Sequence, residues 1–212
     1  MNSLNEQQIN IIVSAIARQG YIIIPDYLVN NMLCSLSKRI KGFEEDDLKT
    51  AEIGRSKNQQ SNPEIRRDKI HWLNKQNSID NEYLSFMGSL RAHLNQALYL
   101  GLFDYESHYA IYQEGDFYKQ HVDTLSGKSN RVLSTILYLN ENWNTQDGGE
   151  LVMYSQDEKT IIESVSPRAG TMVIFLSEQF PHEVLVANKT RYSIAGWFRV
   201  NASNSHAIDP SS

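Results

Sequence analysis

A histidine and an aspartate stand two residues apart in His121-Val122-Asp123, and a second histidine, His182, opens the run His182-Glu183-Val184. In extended backbone, side chains two apart point the same way, so His121 and Asp123 can converge on one ion while Val122 packs on the other face. Two imidazoles and one carboxylate on one side of a metal leave coordination positions open, which is the arrangement of non-haem iron. Zinc accepts the same ligands, so these residues alone do not choose the metal. A lone His-x-Asp pair occurs by chance in many proteins. Arg191, nine residues beyond His182, adds specificity. A hairpin through Ala187 to Thr190 would return it beside the metal strands. An arginine facing inward needs an anion, because an unpaired buried charge is very costly, and a carboxylate held by two parallel hydrogen bonds is its natural mate.

The elements that must position these residues fall into two textures. From Leu4 to Arg18, Ile9, Ile12, Val13 and Ile16 recur on one helical face, and Gly20 fits the stop. Tyr21 to Ile24 reads as a strand. Pro25-Asp26 then opens a second helix through about Ile40, with Asp26 as its cap. Residues 41–66 are polar and charged, and read as a long mobile loop. Lys69 to Leu73 looks like a strand, and Asp80 to Leu100 like a helix with Leu84, Met87, Leu90, Leu94 and Leu98 as its packing stripe. Beyond Tyr105 the chain breaks into short β-rich runs: Ser107–Tyr112, Arg131–Leu139, Glu150–Tyr154, Thr160–Val165, Thr171–Phe175, Glu183–Val186 and Arg191–Val200. Turns such as Asp147-Gly148-Gly149 and Pro167-Arg168-Ala169-Gly170 separate them. The expected fold is α+β, a double-sheet jelly roll of about eight antiparallel strands packed on N-terminal helices. The expected division is a support region over 1–99, the jelly roll over 100–200 and a tail over 201–212.

Composition narrows the class. With 41% hydrophobic and 21% charged residues, the 212-residue chain resembles an ordinary globular protein with one substantial core. No apolar run approaches the roughly 18 residues that span a bilayer. The N-terminal residues lack the basic start and apolar stretch of a signal peptide. The single Cys34 cannot form an internal disulfide, so a reducing, cytoplasmic setting is expected. A net charge of -5 argues against a nucleic-acid partner. The basic group Arg66-Arg67 with Lys69 and the acidic run Glu44 to Asp47 both read as solvated faces. Tyr118 reads as structural and Asp116 as a loop solvator. His71, His93, His108 and His206 lack partners at ligand spacing and read as structural or exposed.

Set beside known families, the chain resembles the prolyl 4-hydroxylase branch of the iron(II)- and 2-oxoglutarate-dependent oxygenases, in particular the bacterial relatives of the hypoxia-inducible-factor prolyl hydroxylases. The likeness runs from about Gly20 to Val200. Besides the residues above it rests on Gly20-Tyr21, Ile53-Gly54-Arg55, Ile65-Arg66-Arg67-Asp68-Lys69-Ile70-His71-Trp72, Tyr138-Leu139-Asn140 and Gly148-Gly149-Glu150-Leu151. The stretch from Tyr112 to His121 is one residue shorter than in the animal enzymes. The resemblance implies a double-stranded β-helix with His121, Asp123 and His182 as iron ligands. It implies that Arg191 and Tyr138 hold the distal carboxylate of 2-oxoglutarate and that Tyr112 lines its pocket, with Trp197 at the wall. Strand parity with Arg191 adds Ser193, and Ile136 is a further candidate lining residue.

The implied reaction hydroxylates C4 of a prolyl residue in a protein, converting 2-oxoglutarate and oxygen to succinate and carbon dioxide, with ascorbate as reductant. A ribosomal or translation protein is the expected substrate, the 41–62 loop the element that folds over it, and a monomer the expected state. Three rivals differ in substrate or class. A nucleic-acid demethylase would carry a second arginine six residues after the first, where this chain has Trp197. A hydroxylase of free amino acids would share the same core. A sensor module would bind iron or 2-oxoglutarate without turnover.

Overall fold

The structure, a computed structural model, describes residues 5–28, 31–51, 62–124 and 130–201. Three helices, α1 (Glu6–Gln19), α2 (Asn31–Lys41) and α3 (Ser78–Leu98), accompany three short strands, β1 (Tyr21–Ile24), β2 (Lys49–Thr50) and β3 (Lys69–Trp72). Eight strands follow: β4 (Leu102–Tyr112), β5 (Tyr118–His121), β6 (Arg131–Tyr138), β7 (Leu151–Tyr154), β8 (Ile161–Val165), β9 (Met172–Leu176), β10 (His182–Val184) and β11 (Arg191–Val200). They form two facing sheets, β1-β9-β6-β11-β4-β3-β2 and β5-β10-β7-β8. The last eight strands are the jelly roll, and β1, β2 and β3 extend its larger sheet at both edges.

Alternation along the larger sheet sends successive side chains to opposite faces. One face meets the helices. Ile12 and Ile16 of α1, Leu36 and Ile40 of α2, and Tyr83, Met87, Leu90 and Leu94 of α3 share a buried cluster with Tyr109, Leu133, Leu137, Ile194 and Phe198. The other face meets the smaller sheet through Tyr112, Tyr138, Leu151, Met153, Val173, Phe175 and Val184. This inner layer holds the site.

The helix ends follow local chemistry. The Asn5 side chain accepts from Gln7 N at the start of α1, and Gly20, at φ 81, closes it by donating to the Ile16 carbonyl. The Asn77 side chain caps α3 by accepting from Ile79 N and Asp80 N. The stripe of α3 is shifted from the expected one. Tyr83 and Phe86 are buried, while Leu84 and Leu98 are only partly so.

Several expectations need correction. The second helix starts at Asn31, not at Pro25-Asp26: Asp26 sits in a turn at φ 51 and caps nothing in α2. The reason lies next door, where Tyr27 and Leu28 are buried and Leu28 N donates to the Gly170 carbonyl, which keeps this segment out of a helix. The β10 and β11 strands are not a hairpin. They belong to opposite sheets, because Ala187 between them is pinned by Gly115 N donating to its carbonyl and by its own N–H donating to the Asp116 carbonyl. The 41–66 segment contains β2, paired with β3, while residues 52–61, with Ile53-Gly54-Arg55, lie outside the described residues. Leu4, His206 and residues 202–212 of the tail also lie outside them. Among the described residues no helix is long and apolar enough to cross a membrane.

Candidate metal and dicarboxylate site

His121 ends β5 and His182 begins β10, and the two are direct partners across the smaller sheet. Pairing puts the imidazole rings side by side, with centroids 4.3 Å apart. Asp123 lies beyond the end of β5, in a bend and not in the strand as expected, so the chain turn, and not strand parity, brings it round. One ligand atom from each of His121, Asp123 and His182 falls within 4.8 Å of the others. Asp123 Oδ1 is 3.6 Å from His121 Nε2, and Asp123 Oδ2 is 3.8 Å from His182 Nε2.

The other ring nitrogens are taken. His121 Nδ1 donates to the Lys119 carbonyl at 2.8 Å and His182 Nδ1 to that of Phe180 at 2.9 Å. With Nδ1 committed to a carbonyl, each ring turns its Nε2 toward the space between the three side chains, where an ion would sit. Burial, with a smaller contribution from His121, lowers the His182 pKa to about 4, so the ring is neutral at physiological pH. Burial alone would raise the Asp123 carboxyl. The electrostatic pull of His182 and His121 beside it, and then of Arg131, outweighs burial and holds the carboxyl well below its ordinary value.

Two further contacts at this cluster were not anticipated. The Tyr118 ring stacks on His121 with centroids 3.6 Å apart and planes 15° apart, and the Arg66 guanidinium lies over the outer face of Tyr118 at 4.4 Å. Arg66 is therefore not part of a solvated face. It is partly buried and forks onto Asp68, itself wholly buried, at 2.8 and 2.6 Å. Arg67 does remain exposed, its Nε donating to the Pro63 carbonyl. The acidic run pairs locally, with Glu45 on Lys69. His71 stacks on Phe43, and His108 is buried between Trp72 and Trp197. His93 is exposed.

Arg191 stands on the facing sheet. It is 1% exposed, and among the described residues no acidic side chain pairs with it. Its Nε donates to the Gly149 carbonyl at 2.8 Å and its Nη1 to Ser193 Oγ at 3.2 Å, while its guanidinium lies 4.9 Å from the Tyr112 ring and 5.1 Å from that of Tyr138. Burial raises the pKa of both phenols, that of Tyr138 to about 12, so both are neutral donors. The register lays these residues in rows. Arg191 faces Tyr112, Ser193 sits between Ala110 and Tyr138, Ala195 between His108 and Ile136, and Trp197 between Glu106 and Ser134. The small Ala110, Ser193 and Ala195 keep the middle rows low. Ile136, partly buried, shares the inward face with Tyr138, and Trp197 is covered by Arg131 at 3.5 Å.

Among the described residues, the hydroxyl of Tyr138 and the Nε1 of Trp197 are buried without a hydrogen-bond partner. Such orphans are expensive unless a ligand completes them. A buried cation with no acidic mate among the described residues, a buried phenol beside it and a cluster of two imidazoles and one carboxylate together fit iron(II) and an anionic cosubstrate.

Residues 107–199 match the sequence model of the 2OG-Fe(II) oxygenase superfamily. A Pseudomonas putida prolyl-4-hydroxylase of known structure is 34% identical, with a TM-score of 0.82, covering 92% of this chain and 100% of that one. The chain belongs to the 2OG-Fe(II) oxygenase superfamily, and its likeness within it is to prolyl hydroxylases. A Trichoplax adhaerens prolyl hydroxylase, solved with a hypoxia inducible factor oxygen degradation domain peptide fragment, is 26% identical, with a TM-score of 0.80 over 92% of this chain and 90% of that one. The human Egl nine homolog 1 is 26% identical over 88% of this chain, which spans 45% of that protein.

Proposed function

We propose that this protein is an iron(II)- and 2-oxoglutarate-dependent hydroxylase acting at C4 of a prolyl residue within a protein. The observation that carries the reading is Arg191, a buried cation without an acidic mate among the described residues, facing into the same sandwich as the His121, Asp123 and His182 cluster. The two Nε2 atoms and the Asp123 carboxylate would hold the metal. The Arg191 guanidinium, with the Tyr138 hydroxyl and Ser193 beside it, would receive the distal carboxylate of the cosubstrate. Trp197, Ile136 and Tyr112 exclude water from the space between. Bound iron and 2-oxoglutarate supply the oxidising chemistry, coupling loss of carbon dioxide and formation of succinate to insertion of one oxygen atom of O2 into a carbon–hydrogen bond. This chain's contribution is to orient both reactants and hold the two Nε2 atoms toward the metal position.

A protein substrate is supported by the peptide bound to the Trichoplax relative. The reading includes ascorbate as reductant, a ribosomal or translation protein as target, and a monomer working in the cytoplasm. The test is incubation with iron(II), 2-oxoglutarate, oxygen and ascorbate in lysate from cells lacking the gene, read by peptide mass spectrometry, with His121→Ala as control. One proline gaining an oxygen only with the intact cluster supports the reading. Succinate without any modified peptide overturns the protein substrate and points to a small molecule.

A further inference from the structure

The Asp123 carboxylate presents its two oxygens almost equally to the imidazoles, at 3.6 Å from one and 3.8 Å from the other. By position alone either oxygen, or both, could meet an ion. A contact from the opposite sheet breaks the tie. Ser134 Oγ, on β6, donates to Asp123 Oδ2 at 2.6 Å. Ser134 Oγ also lies 2.9 Å from Ser177 Oγ, just past the end of β9. A serine hydroxyl has one proton, and an ionised carboxylate only accepts. Since Ser134 gives its proton to Asp123, Ser177 must be the donor to Ser134. The chain of hydrogen bonds therefore has one direction, from Ser177 through Ser134 to Oδ2. Both hydroxyls are deeply buried, Ser134 at 2% and Ser177 at 0% exposure, where a hydroxyl is costly unless hydrogen-bonded. Backbone pairing fixes the second serine, as Ser177 N donates to the Val132 carbonyl. A hydrogen bond to a charged acceptor, backed by a second donor, is among the stronger ones available.

We propose that Ser177 and Ser134 form a hydroxyl relay that engages Asp123 Oδ2 and so restricts the carboxylate to a single metal-binding oxygen, Oδ1, keeping a coordination position open for the cosubstrate. These are positioning residues, and the inference rests on the metal-site reading above. Without the relay the carboxylate is free to chelate through both oxygens, which closes a position that 2-oxoglutarate needs.

The test uses the full chain stripped of metal, titrated first with Mn(II) and then, when Mn(II)-loaded, with 2-oxoglutarate by calorimetry. Ser134→Ala is expected to keep Mn(II) affinity within about threefold and to weaken 2-oxoglutarate at least tenfold. Ser134→Thr, which keeps the hydroxyl, restores it, and Ser177→Ala, which removes only the outer donor, has a smaller effect in the same direction. Wild-type 2-oxoglutarate affinity in Ser134→Ala overturns the relay. Should Ser134→Ala misfold by circular dichroism, Ser177→Ala decides, and wild-type affinity there overturns it. Failure of the wild-type chain to bind Mn(II) at all overturns the metal-site reading itself, a different result from intact Mn(II) binding with unchanged 2-oxoglutarate affinity.

Discussion

Gly149 and Arg191 touch so closely that the glycine has no room for a side chain: a Cβ at Gly149 would stand 2.9 Å from Arg191 Cδ. The Gly149 carbonyl meanwhile accepts from Arg191 Nε, and its φ of +67 is one that other residues adopt at a cost. The loop thus fixes the arginine from behind. Gly149→Ala is expected to raise the KM for 2-oxoglutarate by about tenfold, the order of one hydrogen bond to a charged group, while Mn(II) affinity at the His-Asp-His cluster stays unchanged. A loss of Mn(II) affinity as large as the loss for 2-oxoglutarate would contradict this separation.

Asp123→Ala removes the carboxylate of the cluster and leaves two imidazoles, a poor site for a divalent ion. Both Mn(II) binding by calorimetry and succinate formation are expected to fall below detection. Unimpaired turnover would remove the proposed metal site.

His108 gives a pH dependence of known sign. Burial first, then the charge of Arg66, lowers its pKa to about 4 from 6.5. The unfolded chain therefore binds the extra proton in the window between these values. The His108 contribution is fully present above pH 6.5 and is lost as pH falls toward 4, at most about 3 kcal/mol at 1.36 kcal/mol per unit. His182 titrates in the same direction, so the comparison is differential. Urea unfolding of apo wild type and His108→Gln from pH 7 to pH 4.5 should give a shallower loss of stability in the variant. Parallel curves would refute the assignment.

The buried Asp80 ties three elements together. It takes a fork from Arg39 of α2 at 2.6 and 3.0 Å, the Tyr109 hydroxyl of β4 at 2.8 Å, and Asn74 N at 3.1 Å. Asp80→Ala strands the arginine and the phenol, which is expected to cost about 3–5 kcal/mol. Equilibrium urea denaturation measures it, and a loss below about 1 kcal/mol would mean that water replaces the carboxylate.

How much of this was legible in the sequence differs from residue to residue. The jelly-roll strands were visible because alternation and glycine turns such as Asp147-Gly148-Gly149 mark both faces and ends. His121, Asp123, His182 and Arg191 stood out because ligand types and a long cation are unusual in such runs. Ser134, Ser177 and Tyr118 did not, since serine and tyrosine are ordinary in such runs: the serines' partners lie elsewhere in the chain, and the stacking of Tyr118 on His121 three residues on does not follow from strand alternation. One signal was available: Ser134 shares parity with Ile136 and Tyr138 on β6. Arg66 looked like surface charge because only the fold buries the neighbouring Asp68 and brings the Tyr118 ring against the guanidinium. The Asp26 error had a local cause, as Pro-Asp suits a helix start and a turn equally, and the core's demand for Tyr27 and Leu28 chose the turn.

The buried charge of Arg191, which no acidic side chain meets among the described residues, also bears on how long the folded protein persists. A cation in an apolar layer weakens the fold that encloses it, and a bound dicarboxylate repays that deficit while adding its own binding energy. At a hundred times its dissociation constant, a ligand that binds only the folded form adds about 2.7 kcal/mol of stability. Opening for proteases then becomes rarer as the cosubstrate becomes more abundant. The number of surviving copies, and not only their rate of turnover, would follow the supply of 2-oxoglutarate.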